Sequence, residues 1–149
     1  MADISLRAMQ EEDLAFVALL EQESFHDAWN EAMLKNELDN PLSTYLILLK
    51  DGEPIGYAGY WLVVGEAQVT RVAVLQRERG QGYGRLLTKG LLDSAWEQQA
   101  EAVTLEVRES NVPAQRAYLS NGFTSAGVRP NYYEDTHEGA VIMWVHRGQ

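Results

Sequence analysis

Arg79, Gly80, Gln81, Gly82, Tyr83, Gly84 and Arg85 alternate glycine with larger residues, between an apolar run at 69–74 and an apolar-periodic stretch at 86–96. A strand, a glycine turn and a helix in that order make an anion cradle. Glycines leave backbone N–H groups uncovered, and a helix start adds unpaired donors at the positive end of its dipole. The expected ligand therefore carries phosphate; the plain alternative is a tight turn with no ligand. One strand later Glu106 interrupts an apolar run, Val103-Thr104-Leu105-Glu106-Val107, at its carboxyl end. Ligand crevices open at that end of α/β sheets, and desolvation there would raise a carboxylate towards the range of a general base. The alternative is a carboxylate on the wetter face of a sheet, paired with Arg71 or Arg108. Asn111 and Tyr118 follow. From residue type alone, Asn111 caps a helix ahead of Pro113, and Tyr118 is a packed helix aromatic.

The glycine spacing narrows the ligand. A Walker loop needs Lys-Ser/Thr after its last glycine, and that pair is missing. A dinucleotide fingerprint needs Gly-x-Gly-x-x-Gly in a first βα unit; Gly80, Gly82 and Gly84 give Gly-x-Gly-x-Gly, after most of the N-terminal half of the chain. Arg79, Gly82 and Gly84 satisfy a third pattern, Arg/Gln-x-x-Gly-x-Gly.

These groups need a scaffold, and the periodicity predicts one. Residues 4–7 alternate as a strand. A helix over 11–25 begins with the acidic Glu11, Glu12 and Asp13, and Asn30 caps a second over 31–38. Strands follow at 44–49, 55–64 and 68–74, the first two joined by Asp51-Gly52 and the last two by Gly65-Glu66. Strict alternation in the third puts Val69, Arg71 and Ala73 on one face and Thr70, Val72 and Val74 on the other. After the helix from Leu86, a strand at 103–107 is reached by a helical crossover and should lie parallel to 68–74. A helix opened by Asn111 and Pro113 ends at Asn121-Gly122. Two antiparallel strands, 123–128 and 140–145, close the chain. The fold class is α/β (α+β), as one domain over 1–149.

Composition excludes several functions. The 149 residues carry a net charge of −10, which argues against direct nucleic-acid binding and suits either a cationic partner or simple solubility. The absence of cysteine excludes disulfides and thiolate chemistry. No leader or membrane-length apolar run is present, so the expectation is a soluble cytoplasmic protein with no membrane partner. His26, His137 and His146 lack metal-ligand spacing, so no metal is expected.

Arg79-x-x-Gly82-x-Gly84, then Leu105-Glu106-Val107-Arg108-Glu109-Ser110-Asn111, then Tyr118, then Asn121-Gly122-Phe123, resembles the GNAT N-acetyltransferase superfamily. Arg129, Asn131, Tyr132 and Tyr133 extend the likeness to the bacterial RimI-type enzymes, which acetylate the N-terminal alanine of a small-subunit ribosomal protein. The resemblance implies a mixed sheet with an antiparallel meander, a splayed parallel strand pair and flanking helices. It also implies acetyl-CoA as co-substrate. The pantetheine arm would pair with backbone at Val72, Ala73 and Val74, the pyrophosphate would sit on N–H groups from Gly80 to Arg85, and Arg79 would be cofactor-binding with them. Asn111 would contact the cofactor, Glu106 would act as general base and Tyr118 as general acid in a direct transfer. Trp29, Tyr132, Tyr133 and Glu134, with Asp135, could flank the acceptor entrance. Two departures touch acceptor choice: Ala28-Trp29-Asn30 where relatives often have Pro-Trp-Ser, and Gly139 where they often have Asp. A polyamine or other small-amine acetyltransferase and a silent CoA-binding domain are the alternatives.

Overall fold

The computed structural model describes residues 2–148. Strand β1 (Ile4–Ala8) leads through a short 3₁₀ turn (Glu11–Asp13) into α1 (Leu14–Ser24) and α2 (Glu31–Asp39). The meander β2 (Ser43–Lys50), β3 (Glu53–Val63) and β4 (Glu66–Val74) follows. Then come α3 (Tyr83–Glu97), β5 (Ala102–Arg108), α4 (Val112–Ser120), β6 (Thr124–Arg129) and β7 (Ala140–His146). The strands form one seven-stranded sheet in the order β1-β2-β3-β4-β5-β7-β6. All neighbours are antiparallel except β4 and β5.

Local chemistry places the element ends. Asp13 takes the Arg7 guanidinium at 2.7 and 2.8 Å and accepts from Gln10 N at 2.7 Å, so the acidic segment expected to open a helix forms a 3₁₀ turn tied to β1. Asn30 Oδ1 accepts from Met33 N at 2.9 Å, capping α2. Asp51 and Gly52 both have positive φ (51° and 82°), as a two-residue hairpin turn requires. The next turn is Val64-Gly65, one residue earlier than expected, again with both φ positive (48° and 77°).

Two apolar layers sandwich the sheet. Tyr45, Ile47, Tyr57 and Ala73 pack with Val17, Leu20 and Leu34 beneath α1 and α2. Leu48, Ala58, Tyr60, Val103, Leu105 and Val107 pack with Leu87, Leu91, Tyr118 and Phe123 beneath α3 and α4. Alternation along the strands divides these residues between the faces.

In β4 the alternation fails. Gly59 pairs with Arg71 and Tyr60 with Val69, leaving Thr70 as an extra residue, a one-residue bulge. Val69 therefore joins Val72 and Val74 on the α3 face. Thr70 and Arg71 both turn to the α1 face, where Thr70 Oγ1 meets Tyr45 Oη at 2.8 Å and Arg71 meets Glu21. The expected grouping of Val69 with Arg71 is corrected by that inserted residue. The bulge also sits where β4 leaves β5: they pair only at Glu66–Ala102, Ala67–Val103 and Gln68–Thr104. Beyond these, β4 stays with β3 and β5 stays with β7, so the sheet opens like a V.

Candidate active site

A cavity of about 580 Å³ occupies the mouth of this V. Its floor is β4 from Val69 to Val72 and β5 from Leu105 to Arg108. Ser24 at the end of α1 and Phe25, His26 and Asp27, in the connection from α1 to α2, make one wall. Tyr132, Tyr133, Glu134 and Asp135, between β6 and β7, make the other, and Asn111 and Tyr118 close the end beside α4.

Glu106 and Tyr118 both line this cavity. Leu105 and Val107 pack with Tyr118 on the α4 face, so Glu106, alternating with them, projects to the other face of β5. Its side chain is exposed, and no hydrogen bond or ion pair among the described residues reaches it. The pairing considered with Arg71 or Arg108 is not formed: Arg71 holds Glu21, and Arg108 holds Asp135 and Glu138. The burial expected around Glu106 is also missing, because the parting of β4 removes the neighbour that would have covered it. Tyr118 is only 8% exposed and packs against Phe123, with ring centres 5.8 Å apart. Burial pushes its phenol well above the ordinary tyrosine range, so it keeps its proton at neutral pH.

The glycine turn lies beyond β4, outside the residues that line the cavity. Helix α3 begins at Tyr83, three residues before the expected Leu86, so Tyr83, Gly84 and Arg85 form its first turn and contribute unpaired N–H donors. Gly80 and Gly82 have φ of 79° and 84°, and Gly82 is the N-cap. Apart from their own chain neighbours and adjacent helix backbone, no atom among the described residues lies within 4 Å of where a β-carbon would stand at Gly80, Gly82 or Gly84, so the turn is open on that side. Arg79 faces back into the fold, its Nε donating to Val74 O at 3.0 Å and its Nη2 to Ser24 Oγ at 3.3 Å.

Backbone direction in β4 sorts the three expected pairing positions. Leu75 N donates to Ile55 O at 2.8 Å, flanking the Gly56–Val74 pair. That geometry turns the Val74 and Val72 peptide groups away from β3 and the Ala73 groups towards it. Val72 and Val74 thus face the gap, the Val74 carbonyl already accepting from Arg79. Ala73 is corrected to a β3 partner. Asn111 caps α4, its Oδ1 accepting from Ala114 N at 3.2 Å, while its side chain also borders the cavity.

Trp29 is displaced from its expected place. It is absent from the cavity wall and lies behind it, with the Arg71 guanidinium 4.1 Å from one of its ring centres and 4.2 Å from that of Phe25. Phe25, His26 and Asp27 form the wall instead. On the opposite wall, burial pushes the Tyr133 phenol up to about 12, and Tyr132 meets it edge-on at 5.0 Å. Gly139 closes this loop: a β-carbon there would stand 2.4 Å from Glu109 Oε1 and 2.8 Å from Val128 Cγ1.

Sequence reasoning missed Glu21. It is fully buried on α1 and accepts from Tyr57 Oη, from Trp29 N at 2.8 Å and from Arg71 Nε at 3.1 Å. Its only sequence signal was a carboxylate among apolar positions of a helix.

The sequence model of the acetyltransferase (GNAT) family matches residues 14–123. A Bacillus subtilis protein provisionally named ribosomal protein bS18-alanine N-acetyltransferase is 40% identical over 142 residues, covering 95% of this chain and 94% of that protein. The ribosomal protein bS18-alanine N-acetyltransferase of Haemophilus influenzae is 34% identical over 129 residues, covering 83% of this chain and 86% of that one. Among solved structures, the ribosomal-protein-S18-alanine N-acetyltransferase of Escherichia coli superposes with a TM-score of 0.88 at 28% identity, covering 99% of this chain and 96% of that one.

Proposed function

The chain belongs to the acetyltransferase (GNAT) family, and we propose that it transfers the acetyl group of acetyl-CoA to the N-terminal α-amine of an alanine on a small-subunit ribosomal protein. Bound acetyl-CoA supplies a thioester carbonyl open to attack by an amine. The chain's own residues do the rest. The N–H groups of the turn from Gly80 to Arg85 receive the pyrophosphate; each charge-assisted hydrogen bond contributes roughly 1.5–3 kcal/mol. The gap-facing peptide groups of Val72 and Val74 guide the extended arm, and Asn111 borders its path.

Glu106 takes the proton of the incoming ammonium, directly or through water. An α-amine has a pKa of about 7.7–8.0, so this is a modest task. Exposure in the free protein leaves the carboxylate open to a cation, and the acceptor's arrival strips water from it. Tyr118 holds a proton at Oη and offers it to the departing sulfur. With no cysteine in the chain, a thiol-bound acyl enzyme is excluded, and direct attack between two positioned substrates is the route, with much of the rate from proximity.

The observation that carries this reading is the parting of β4 from β5 after Gln68 and Thr104, with Glu106 and Tyr118 lining the one cavity that opens there. The names of the similar proteins support the choice of acceptor. The test is acetyl-CoA turnover against a panel of an Ala-initiated ribosomal peptide, lysine-containing peptides and polyamines. Turnover of the Ala-initiated peptide is expected. Polyamine-only turnover would overturn the acceptor, and no turnover at all would favour a silent CoA-binding domain.

A further inference from the structure

Arg108 ends β5 two residues after Glu106, on the same face. Its guanidinium grips the loop between β6 and β7 from several directions. Nη1 and Nη2 donate to the two oxygens of Asp135 at 2.9 and 3.0 Å, and Nη1 also donates to Glu138 Oε1 at 3.1 Å. The plane lies 4.0 Å from the ring centre of Tyr133. Glu138 continues the clasp by accepting from Ser110 N at 3.1 Å. A bidentate pair and a stacked ring together fix both the position and the orientation of a planar cation, which an ammonium could not do. The loop so held carries Tyr132, Tyr133 and Glu134 onto the cavity. Within the loop, Tyr132 N and Tyr133 N donate to Glu138 O, His137 N donates to Tyr133 O, and Thr136 bonds to Asp135 and Glu138, the two carboxylates that Arg108 holds.

We infer that Arg108 is a positioning residue for the acceptor: it holds the β6–β7 loop so that Tyr133 and Glu134 present a formed wall beside Glu106. The inference rests on the acetyltransferase reading above. Neither the glycine turn nor the gap-facing backbone of β4 takes part in this clasp, and Asn111 meets Arg108 through the backbone, its N–H donating to the Arg108 carbonyl at 3.0 Å, so a change confined to the Arg108 side chain should bear on acceptor binding more than on acetyl-CoA binding. The side chain of Arg108 is 30% exposed, and those of Asp135 and Glu138 are 22% and 20% exposed. Removing the cation therefore leaves two carboxylates that water can reach, so the fold is expected to survive the substitution.

The experiment compares Arg108→Gln, Arg108→Lys and Asp135→Asn/Glu138→Gln with the unaltered chain. Steady-state kinetics are measured with an Ala-initiated peptide, acetyl-CoA affinity by calorimetry, and amide hydrogen exchange over residues 131–138. Arg108→Gln should raise the acceptor KM at least tenfold, leave acetyl-CoA affinity and the melting temperature nearly unchanged, and speed loop exchange. Arg108→Lys should fall between, and the carboxylate variant should reproduce the Gln phenotype without adding to it. An unchanged acceptor KM with faster loop exchange would overturn the inference, as would parallel losses in acetyl-CoA affinity and melting temperature. If the unaltered chain turns over no acceptor, the proposed function fails by itself; unchanged loop exchange in Arg108→Gln would then still overturn the clasp, and faster exchange would support it.

Discussion

Glu21 of α1 and Arg71 of β4 meet across fifty positions of sequence as a buried ion pair, with side chains 0% and 10% exposed. Glu21 also takes the Trp29 amide, and Arg71 also donates to the Asp27 carbonyl at 3.1 Å, so the pair ties the wall at residues 25–27, and Trp29 behind it, to the strand that bounds the gap. A buried pair contributes little net stability, because desolvation offsets attraction, but removing one member strands a charge. Arg71→Met should destabilise the protein by roughly 3–5 kcal/mol. Urea denaturation would show it, and adding Glu21→Gln should recover part of the loss. An additive double variant would mean that the two side chains do not act as a pair.

Glu106→Gln should lower kcat ~10²–10⁴-fold with acetyl-CoA affinity retained, since the Glu106 side chain is exposed and the change keeps its shape. Near-normal turnover at neutral pH would remove it from the mechanism.

Tyr118→Phe keeps the packing against Phe123 and deletes only a hydroxyl that has no hydrogen-bond partner among the described residues. Stability should change little, because no hydrogen bond within the described fold is lost, while the chemical step, followed by single-turnover kinetics, slows by ~10²-fold. A rate equal to that of the unaltered chain would reduce Tyr118 to a packing residue.

Gly84→Val separates binding from folding. Gly84 has no positive φ and open space around its missing β-carbon, so α3 should form unchanged. The valine would stand where the pyrophosphate approaches. Loss of a single charge-assisted bond, roughly 1.5–3 kcal/mol, raises the acetyl-CoA Kd about tenfold or more. Calorimetry giving unaltered affinity would move the phosphate site elsewhere.

Acid should weaken the fold through Asp13. Hydrogen bonds from Arg7 hold its carboxyl below the ordinary range in the folded chain. Its contribution is therefore complete above the unfolded value of about 3.9 and is lost as pH falls through the lower folded value. Asp13→Asn should be less stable at neutral pH and show a shallower decline in urea midpoint below pH 5; an unchanged slope would assign acid sensitivity to other carboxylates.

Much of this was legible in sequence because it is written in local chemistry. The glycine spacing at 80–84, the caps at Asn30 and Asn111, the turn at Asp51-Gly52 and the Glu106–Asn111–Tyr118 order all depend on residues a few positions apart. They determined the strand and helix order, the family and where to look for a phosphate. Tertiary structure decided the rest. The bulge at Thr70 depends on register against β3, which no residue in β4 announces; it reassigned Val69 and sits where β4 parts from β5. Glu106 is exposed because its neighbouring strand turns away, and Trp29 lies behind the wall because Arg71 stacks on it. The anchors of the two walls, Glu21 with Arg71 and Arg108 with Asp135, pair groups far apart in sequence. Whether a charged side chain is a solvated surface group or a buried clasp depends on what the folded chain brings beside it.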